Sequence, residues 1–347
     1  MGLPLRDLVH PRELPWDQLA GRTLAVDGYN ALYQFLATIR QRDGQLFTDP
    51  EGRVTTHLIG LLYRTTSLLA EGVRLYWVFD GAPPDRKSGT LSGRFRAKER
   101  AEAEWKEALE AGDLERARRK AAATSRLTRE MVQEGERLLD ALGVPYLEAP
   151  SEGEAQAAAL AAAGTVWASA SEDYDSLLFG APRLVRGLAA RGRGPGTAAA
   201  QVIDRADLLV DLGIDGEELI LMGILIGTDY NDGAAGFGPK RALRLVREHL
   251  GWEATVRRAG LDGAEAEAVA ELFRHPQIVP AEPPVFGPTD PERVRELLVE
   301  RHGFSRERVD LALARADRGR SRRSHPPAPL PAAGHQSRLD RFEETAP

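Results

Sequence analysis

The sequence predicts an α/β protein with a mostly parallel central sheet flanked by helices, and three observations point there. Four short apolar runs end in or just before acids: TLAVD (Thr23 to Asp27), LYWVFD (Leu75 to Asp80), VPYLEAPSE (Val144 to Glu152) and TVWASASED (Thr165 to Asp173). Their length and composition are those of buried strands. Between the first two, Tyr29 to Ile39 and Thr55 to Glu71 repeat apolar residues at helical spacing, so the chain opens β, α, β and the two strands pair in parallel. The chain of 347 residues is 42% apolar and 28% charged, enough to build a sizeable core.

The later elements follow in order. GAPPDRKSGTLSG, after Asp80, is a Pro/Gly-rich connector. A charged helical stretch then runs from Arg94 to about Gly143, broken near Ala111-Gly112-Asp113. Before Met131 it has few large apolar residues to bury, so this portion projects from the body and orders on binding something anionic. The strand ending near Glu148 leads to a helix starting at Ser151, and the strand through Trp167 leads to Asp173 and Asp175. RGRGPGT, from Arg191 to Thr197, is a loop between strands. Glu217 to Ile226 is a strongly apolar helix, followed by the loop GTDYNDGAAGFGPK and a helix from Lys240 to His249. The last ordered helices end near Asp317, which makes residues 1–317 one domain and residues 318–347 a tail. In the tail, RGRSRRSHPPAPLPAAGH has the composition of a flexible linker. It ends in QSRLDRFE, whose Leu339 and Phe342 form the apolar tip of a short docking peptide.

Composition excludes several chemistries. Without cysteine there are no disulfides, thiolate nucleophiles or Cys-based zinc sites, and the seven His residues are scattered, so a bound metal would have oxygen ligands. The segment MGLPLRDLVHPREL lacks the apolar centre of a signal peptide, and Arg6 stands where a myristoylation signal has Ser or Thr. The longest apolar run, Ala155 to Ala170, is short for a membrane span. A cytoplasmic location is expected. The net charge of -6 is unevenly spread. From Arg86 to Arg129 there are 13 Lys or Arg against 7 Asp or Glu, and Gly236 to Arg258 is basic again. Acidic sites thus lie between two basic stretches, which serve either as solvated helix faces or as a nucleic-acid footprint.

Seven acids, Asp27, Asp80, Glu152, Glu154, Asp173, Asp175 and Asp229, fall where predicted elements end. In an open parallel sheet, ligands collect at the carboxyl ends of strands. If the four strands are neighbours, their acids converge, and so many carboxylates need cations to neutralise them. Singly, each has a plainer explanation. Ser151 and Glu154 fit a capping box, Asp27 and Asp80 can cap the turns that follow them, and Asp173-Glu-Asp can be a solvated loop. Jointly they suit two divalent ions roughly 4 Å apart, an arrangement that stabilises both oxygens of an in-line phosphoryl displacement. Mg²⁺ matches the all-carboxylate shell, and Mn²⁺ can replace it. Lys87 and Arg94 are cations placed to offset charge on the phosphate. In Gly236-Phe237-Gly238-Pro239-Lys240, the glycines allow close backbone approach to a phosphate and the helix that follows offers free N–H groups.

These residues together resemble the structure-specific 5′ nucleases, most closely the flap endonucleases of the archaeal and eukaryotic type. VDGYNALYQFLATIRQ, YWVFDGAPP, APSEGEAQAA, ASASEDYDSLLFGAPRLVR, LIGTDYN and GFGPKRAL occur in the family's order from Met1 to about residue 250. The resemblance implies a PIN-like nuclease fold with a helical arch over about residues 85–130 and a helix-turn-helix element over about 217–250. It implies that the seven acids bind metal, Asp27, Asp80, Glu152 and Glu154 serving one ion and Asp173, Asp175 and Asp229 the other. Lys87 and Arg94 become arch-base cations, Tyr33 stacks near the scissile nucleotide, and Gly2 lies close to the substrate. The turn at Gly236, Gly238, Lys240 and Arg241 becomes a DNA clamp that can hold K⁺. The tail, with Gln336, Leu339 and Phe342 in place, becomes a sliding-clamp peptide. The implied activity is Mg²⁺-dependent hydrolysis at the junction of a 5′ flap with duplex DNA, with 5′-exonuclease activity, by a nucleoid-associated monomer in lagging-strand maturation and repair.

Two positions depart from the family pattern. Gly28 stands where Ala is usual and is expected to cost backbone rigidity beside Asp27, while Glu343 replaces the second aromatic of the clamp peptide and weakens it. Rival readings fit less well. A repair endonuclease cutting bubbles would carry a long insertion between the second and third acidic strands. A catalytically silent junction or clamp-binding scaffold has no use for seven acids. An RNA nuclease of the related acidic α/β type has no use for the clamp-like tail.

Overall fold

The computed structural model describes residues 3–82, 100–105, 107–108, 111, 113, 120–188, 199–280 and 282–319. Among these, seven strands form one sheet: β1 (Arg12–Pro15), β2 (Thr23–Asp27), β3 (Arg74–Phe79), β4 (Tyr146–Glu148), β5 (Ala168–Ala170), β6 (Arg183–Arg186) and β7 (Ala199–Asp204). Their order across the sheet is β1-β7-β6-β5-β2-β3-β4. The β2–β3, β2–β5, β3–β4 and β5–β6 pairs are parallel, and β7 pairs antiparallel with β1 and β6. The four strands that lead to acids are therefore contiguous, parallel neighbours.

The labelled helices are α1 (Gly28–Thr38), α2 (Thr56–Ala70), α3 (Arg129–Leu142), α4 (Gly153–Ala162), α5 (Asp175–Leu178), α6 (Arg205–Leu212), α7 (Gly216–Ile226), α8 (Pro239–Val246), α9 (Trp252–Ala259), α10 (Gly263–Arg274), α11 (Pro291–Arg295) and α12 (Arg306–Arg318). Alternation along the central strands decides which helices cover which face. Leu24 and Val26 of β2, with Leu75, Trp77 and Phe79 of β3, join α1, α2, α3 and α12 in one core. The intervening Ala25, Tyr76 and Val78 meet Ala157, Leu160 and Ala161 of α4 on the other face. A second large core surrounds α7, which buries every residue from Leu219 to Leu225. Asp215 and Glu218 form a capping box at its start, which fixes the helix end despite its uniformly apolar sequence. No described helix is long and apolar enough to cross a membrane.

Three sequence expectations change. The charged helical stretch is broken a second time: a 3₁₀ turn at Ala122–Thr124 and non-helical residues 125–128 precede α3, because the Thr128 hydroxyl caps Met131 N and stops the helix there. Helix α4 does not begin at a Ser151 capping box. Its N-cap is Glu152, which makes no side-chain cap, and Gly153 N instead donates to Asp80 Oδ1 at 2.9 Å. The strand does not run on to Asp173, where the apolar run TVWASASED ends: β5 stops at Ala170, residues 172–174 bend, and Asp175 opens α5. RGRGPGT lies outside the described residues.

Gly28 has a steric rather than a flexible role. A Cβ there would stand 2.5 Å from the Phe79 ring and 3.0 Å from Val78 O. Phe79 is fully buried, stacked on Trp77 and edge-on to Tyr29 and Tyr146. Gly28→Ala is therefore expected to destabilise the protein by about 1–3 kcal/mol through overpacking, read as a lower urea midpoint. An unchanged or raised midpoint would show that the ring yields freely and that rigidity, not fit, is what Gly28 costs.

Candidate active site

Strand order starts the gathering of the acids, and hydrogen bonds between segments complete it. Asp27 is the last residue of β2 and the N-cap of α1, with Oδ1 accepting from Asn30 N at 3.0 Å. Asp80 stands one residue past β3, and its bond to Gly153 N draws the start of α4, with Glu152 and Glu154, to the same edge. Ala149 N to Phe79 O at 2.8 Å and Gly81 N to Ser151 O at 2.7 Å hold the intervening turn in place. Asp175 Oδ1 accepts from Leu3 N at 2.8 Å, which ties the N-terminal segment to the site. Asp229 sits in the turn after α7. There Asn231 Nδ2 donates to Ile224 O at 2.8 Å, and the Thr228 hydroxyl donates to Asn231 Oδ1 at 2.8 Å.

Two side chains that sequence reasoning passed over organise the cluster. Asn30 reaches both Asp27, through its backbone N–H, and Asp173, whose Oδ2 accepts from Asn30 Nδ2 at 2.8 Å. The buried Ser171 hydroxyl lies 3.2 Å from Asp27 Oδ2 and 3.3 Å from Glu154 Oε1, and accepts from Asp173 N at 3.2 Å. The only hint in the sequence is that both are short polar residues beside predicted acids.

The electrostatics are those of crowded anions. Burial, with repulsion from Asp173, pushes Asp27 up to about 6 against hydrogen bonds from Asn30, Glu154 and Ser171. Burial, with repulsion from Asp173 and Asp229, pushes Asp175 up to about 7 against the bond from Leu3 N. Glu154 is raised well above the ordinary carboxylate range, by burial and then by Asp175, Asp27 and Asp173. The Tyr230 phenol is raised by burial and then by Glu152, Glu154, Asp175 and Asp229, so it stays neutral among them. Among the described residues no group of three or more such side chains is arranged to hold a metal ion as it stands. The donor chemistry nevertheless fits a hard divalent cation: every side-chain donor in the cluster is an oxygen, and the protons these carboxyls retain are what a cation would replace.

The remaining predicted residues divide. Tyr33 is 37% exposed on α1. Gly236 has φ 75°, and Gly238 caps α8 with no side-chain bond, ahead of Pro239. Lys240 is exposed, whereas Arg241 folds back, its guanidinium 4.4 Å from the Phe237 ring and 3.3 Å from Gly236 O. Gly2, Lys87, Arg94, Gln336, Leu339 and Phe342 lie outside the described residues.

Residues 5–102 match the XPG N-terminal domain and residues 143–229 the XPG I-region, and all seven acids fall within these two spans. Flap endonuclease 1 of Aeropyrum pernix is 48% identical, over 98% of this chain and 99% of its own length. The chain belongs to the flap endonuclease family. Its fold matches the solved flap endonuclease-1 of Methanococcus jannaschii with a TM-score of 0.73 and 37% identity, over 91% of this chain and 98% of that one. The fold is shared with the Holliday junction-resolving enzyme GEN1, solved with product DNA and a Mg²⁺ ion, at a TM-score of 0.61 and 20% identity over 90% and 77% of the two chains. As a flap endonuclease the chain is a hydrolase, a structure-specific nuclease.

The raised carboxyls give a signed prediction for the metal-free enzyme. Asp27 and Asp175 titrate near 6 and 7 in the folded state and near 4 when unfolded. The folded state thus holds extra protons, and the stability they support is lost as pH rises through those values. In EDTA, the melting temperature is expected to fall between about pH 4 and pH 7 and to level off above that. Asp175→Asn should flatten that slope and raise the metal-free melting temperature at the alkaline end, and an unchanged slope would mean that Asp175 is not strained by its neighbours.

Proposed function

We propose that the acidic edge binds Mg²⁺ and hydrolyses the phosphodiester at the junction of a 5′ flap with duplex DNA, with associated 5′-3′ exonuclease activity, in lagging-strand maturation and DNA repair. The observation that carries this is the convergence of carboxyls at one edge of the sheet, where Asn30 and Ser171 link Asp27, Glu154 and Asp173, and Asp80 meets the start of α4. Two ions suit the distribution of acids, one towards Asp27, Asp80, Glu152 and Glu154 and the other towards Asp173, Asp175 and Asp229. Glu154, repelled by both Asp27 and Asp175, adjoins both groups. When bound, Mg²⁺ supplies Lewis acidity to the reacting phosphate and acidifies water, and Mn²⁺ can substitute.

The chain's own residues do the rest. Asn30, Leu3 N and Gly153 N each anchor an oxygen of a carboxylate, so the ligand set is oriented before any ion arrives. Lys87 and Arg94 offset the growing charge on the phosphate, and Tyr33, exposed on α1, stacks against the nucleotide there. Gly2 lies near the substrate. The α8 N-terminus, with Gly236, Gly238, Lys240 and Arg241, grips one strand without reading its bases, and K⁺ can join the carbonyls of that turn. Residues 1–317 act as one nuclease domain, a nucleoid-associated monomer, and the tail docks on the sliding clamp through Gln336, Leu339 and Phe342.

Junction-labelled flap DNA tests the catalytic reading. Asp175→Ala, or excess EDTA with the unaltered chain, is expected to abolish cleavage while flap binding persists; cleavage that survives either one sinks the mechanism. The tail is tested separately. Deleting residues 336–347 should leave cleavage of free flap DNA intact and abolish co-migration with the clamp, and co-migration that continues removes the docking role.

A further inference from the structure

We infer that Arg186, the last residue of β6, is a positioning residue: it fixes the bend that carries Asp173 and Asp175, and so sets how tightly the site takes divalent cations. Asp173 sits between Glu172 and Tyr174, and the Arg186 guanidinium holds both neighbours. Its Nε and Nη2 donate to Glu172 O at 3.1 Å and 2.8 Å. Its Cζ lies over the Tyr174 ring, 4.1 Å from the ring centre, and Nη1 donates to the Tyr174 hydroxyl. The next residue, Gly187, donates its N–H to Glu172 Oε1 at 2.8 Å.

The placement follows from the sheet. Register Ser169↔Leu184 and Ala170↔Val185 brings Arg186 level with the point where β5 gives way to the bend. The bend at residues 172–174 has no ladder of its own, so an outside donor must satisfy the carbonyl of Glu172. Tyr174 is in turn the N-cap of α5, whose first residue is Asp175. Holding Tyr174 therefore holds the backbone of Asp175, as Leu3 N holds its side chain. Arg186 hydrogen-bonds to neither aspartate, so its influence runs through the backbone. Only a guanidinium can both fork onto a carbonyl and lie flat on a ring; an ammonium carries the same charge without either geometry.

This inference rests on the metal reading above. Mg²⁺ alone is titrated by calorimetry into the DNA-free full chain, for the unaltered protein, Arg186→Lys, Tyr174→Phe and Asp175→Asn. The same set is then assayed for Mg²⁺ dependence of flap cleavage and for flap affinity in EDTA. Arg186→Lys should weaken Mg²⁺ binding about 10-fold or more, as loss of an outer-shell support does. It should raise the Mg²⁺ needed for half-maximal cleavage in parallel, with flap affinity in EDTA unchanged. Tyr174→Phe keeps the buried ring and should shift Mg²⁺ affinity in the same direction by less. Unaltered Mg²⁺ affinity in folded Arg186→Lys overturns the inference, and should that variant not fold, unaltered affinity in Tyr174→Phe overturns it instead. If Asp175→Asn keeps full Mg²⁺ affinity and cleavage, the metal reading itself fails; if it loses both while Arg186→Lys loses neither, only the positioning role fails.

Discussion

Repulsion among carboxylates at one edge of the sheet is the constraint on which the rest of this structure depends. Parallel pairing of four adjacent strands sends every strand's carboxyl end the same way, and each of those ends leads to an acid. Burial then removes the water that would otherwise screen them, which is why burial is the largest cause of the raised pKa values of Asp27, Glu154 and Asp175. Relative to a solvated carboxyl, burial of such a group disfavours its ionised form by a few kcal/mol. A fold carries that burden only if its hydrophobic cores are large, and the two main cores here flank the acidic edge from the α1–α2 side and the α7 side.

Tethers as well as bulk stabilise the arrangement. One oxygen of Asp27, Asp80, Asp173 and Asp175 accepts a hydrogen bond from an N–H of the protein. Such bonds favour the ionised form and fix the direction of each carboxylate, so the cluster is strained but not loose. The same contacts serve the helices. Asp27 caps α1 and Asp80 supports the start of α4, so two acids that could have been mere caps are caps and members of the site at once. Replacing either removes an anchor of local structure together with a ligand candidate. Cap and ligand roles are compatible because a carboxylate has two oxygens and a cap needs one.

Much of this was legible in the sequence, for a physical reason. A buried parallel strand is a short apolar run, and an acid at its end has nowhere to point but the edge, so TLAVD and LYWVFD disclose both the strand and the site. What stayed hidden is contact between segments far apart in the chain. Asn30 and Asp173 are separated by 143 residues and Leu3 and Asp175 by 172, and no periodicity encodes those meetings. The Ser151 capping box failed for a related reason: the helix starts one residue later, at Gly153, whose amide is held by Asp80 from the end of β3, a partner invisible to local spacing. Gly28 looked like a concession in backbone rigidity, because the ring of Phe79, brought alongside by β2–β3 pairing, cannot be seen from the glycine's own neighbours.

An acidic edge cannot by itself attract a polyanion, so substrate capture must be assigned elsewhere on the surface. Lys240 and Arg244 stand exposed along α8, whose first turn is left without a side-chain cap by Gly238. An N-terminus of that kind holds a phosphate by its N–H groups whatever the base. Arg241, stacked on Phe237 and bonded to Gly236 O, is pre-ordered against its own turn. It stiffens the loop that presents those N–H groups and need not make a contact of its own. On the function proposed above, selection among DNA substrates would fall to shape, meaning how readily a junction bends so that one arm reaches α8 while the scissile phosphate reaches the acids. The distance between the two, set by α7 and the turn bearing Asp229, would then help determine where the strand is cut. Asn231 spans that connection, joining the last turn of α7 to Thr228 beside Asp229, so the turn that leads on to α8 is braced against the helix that precedes Asp229.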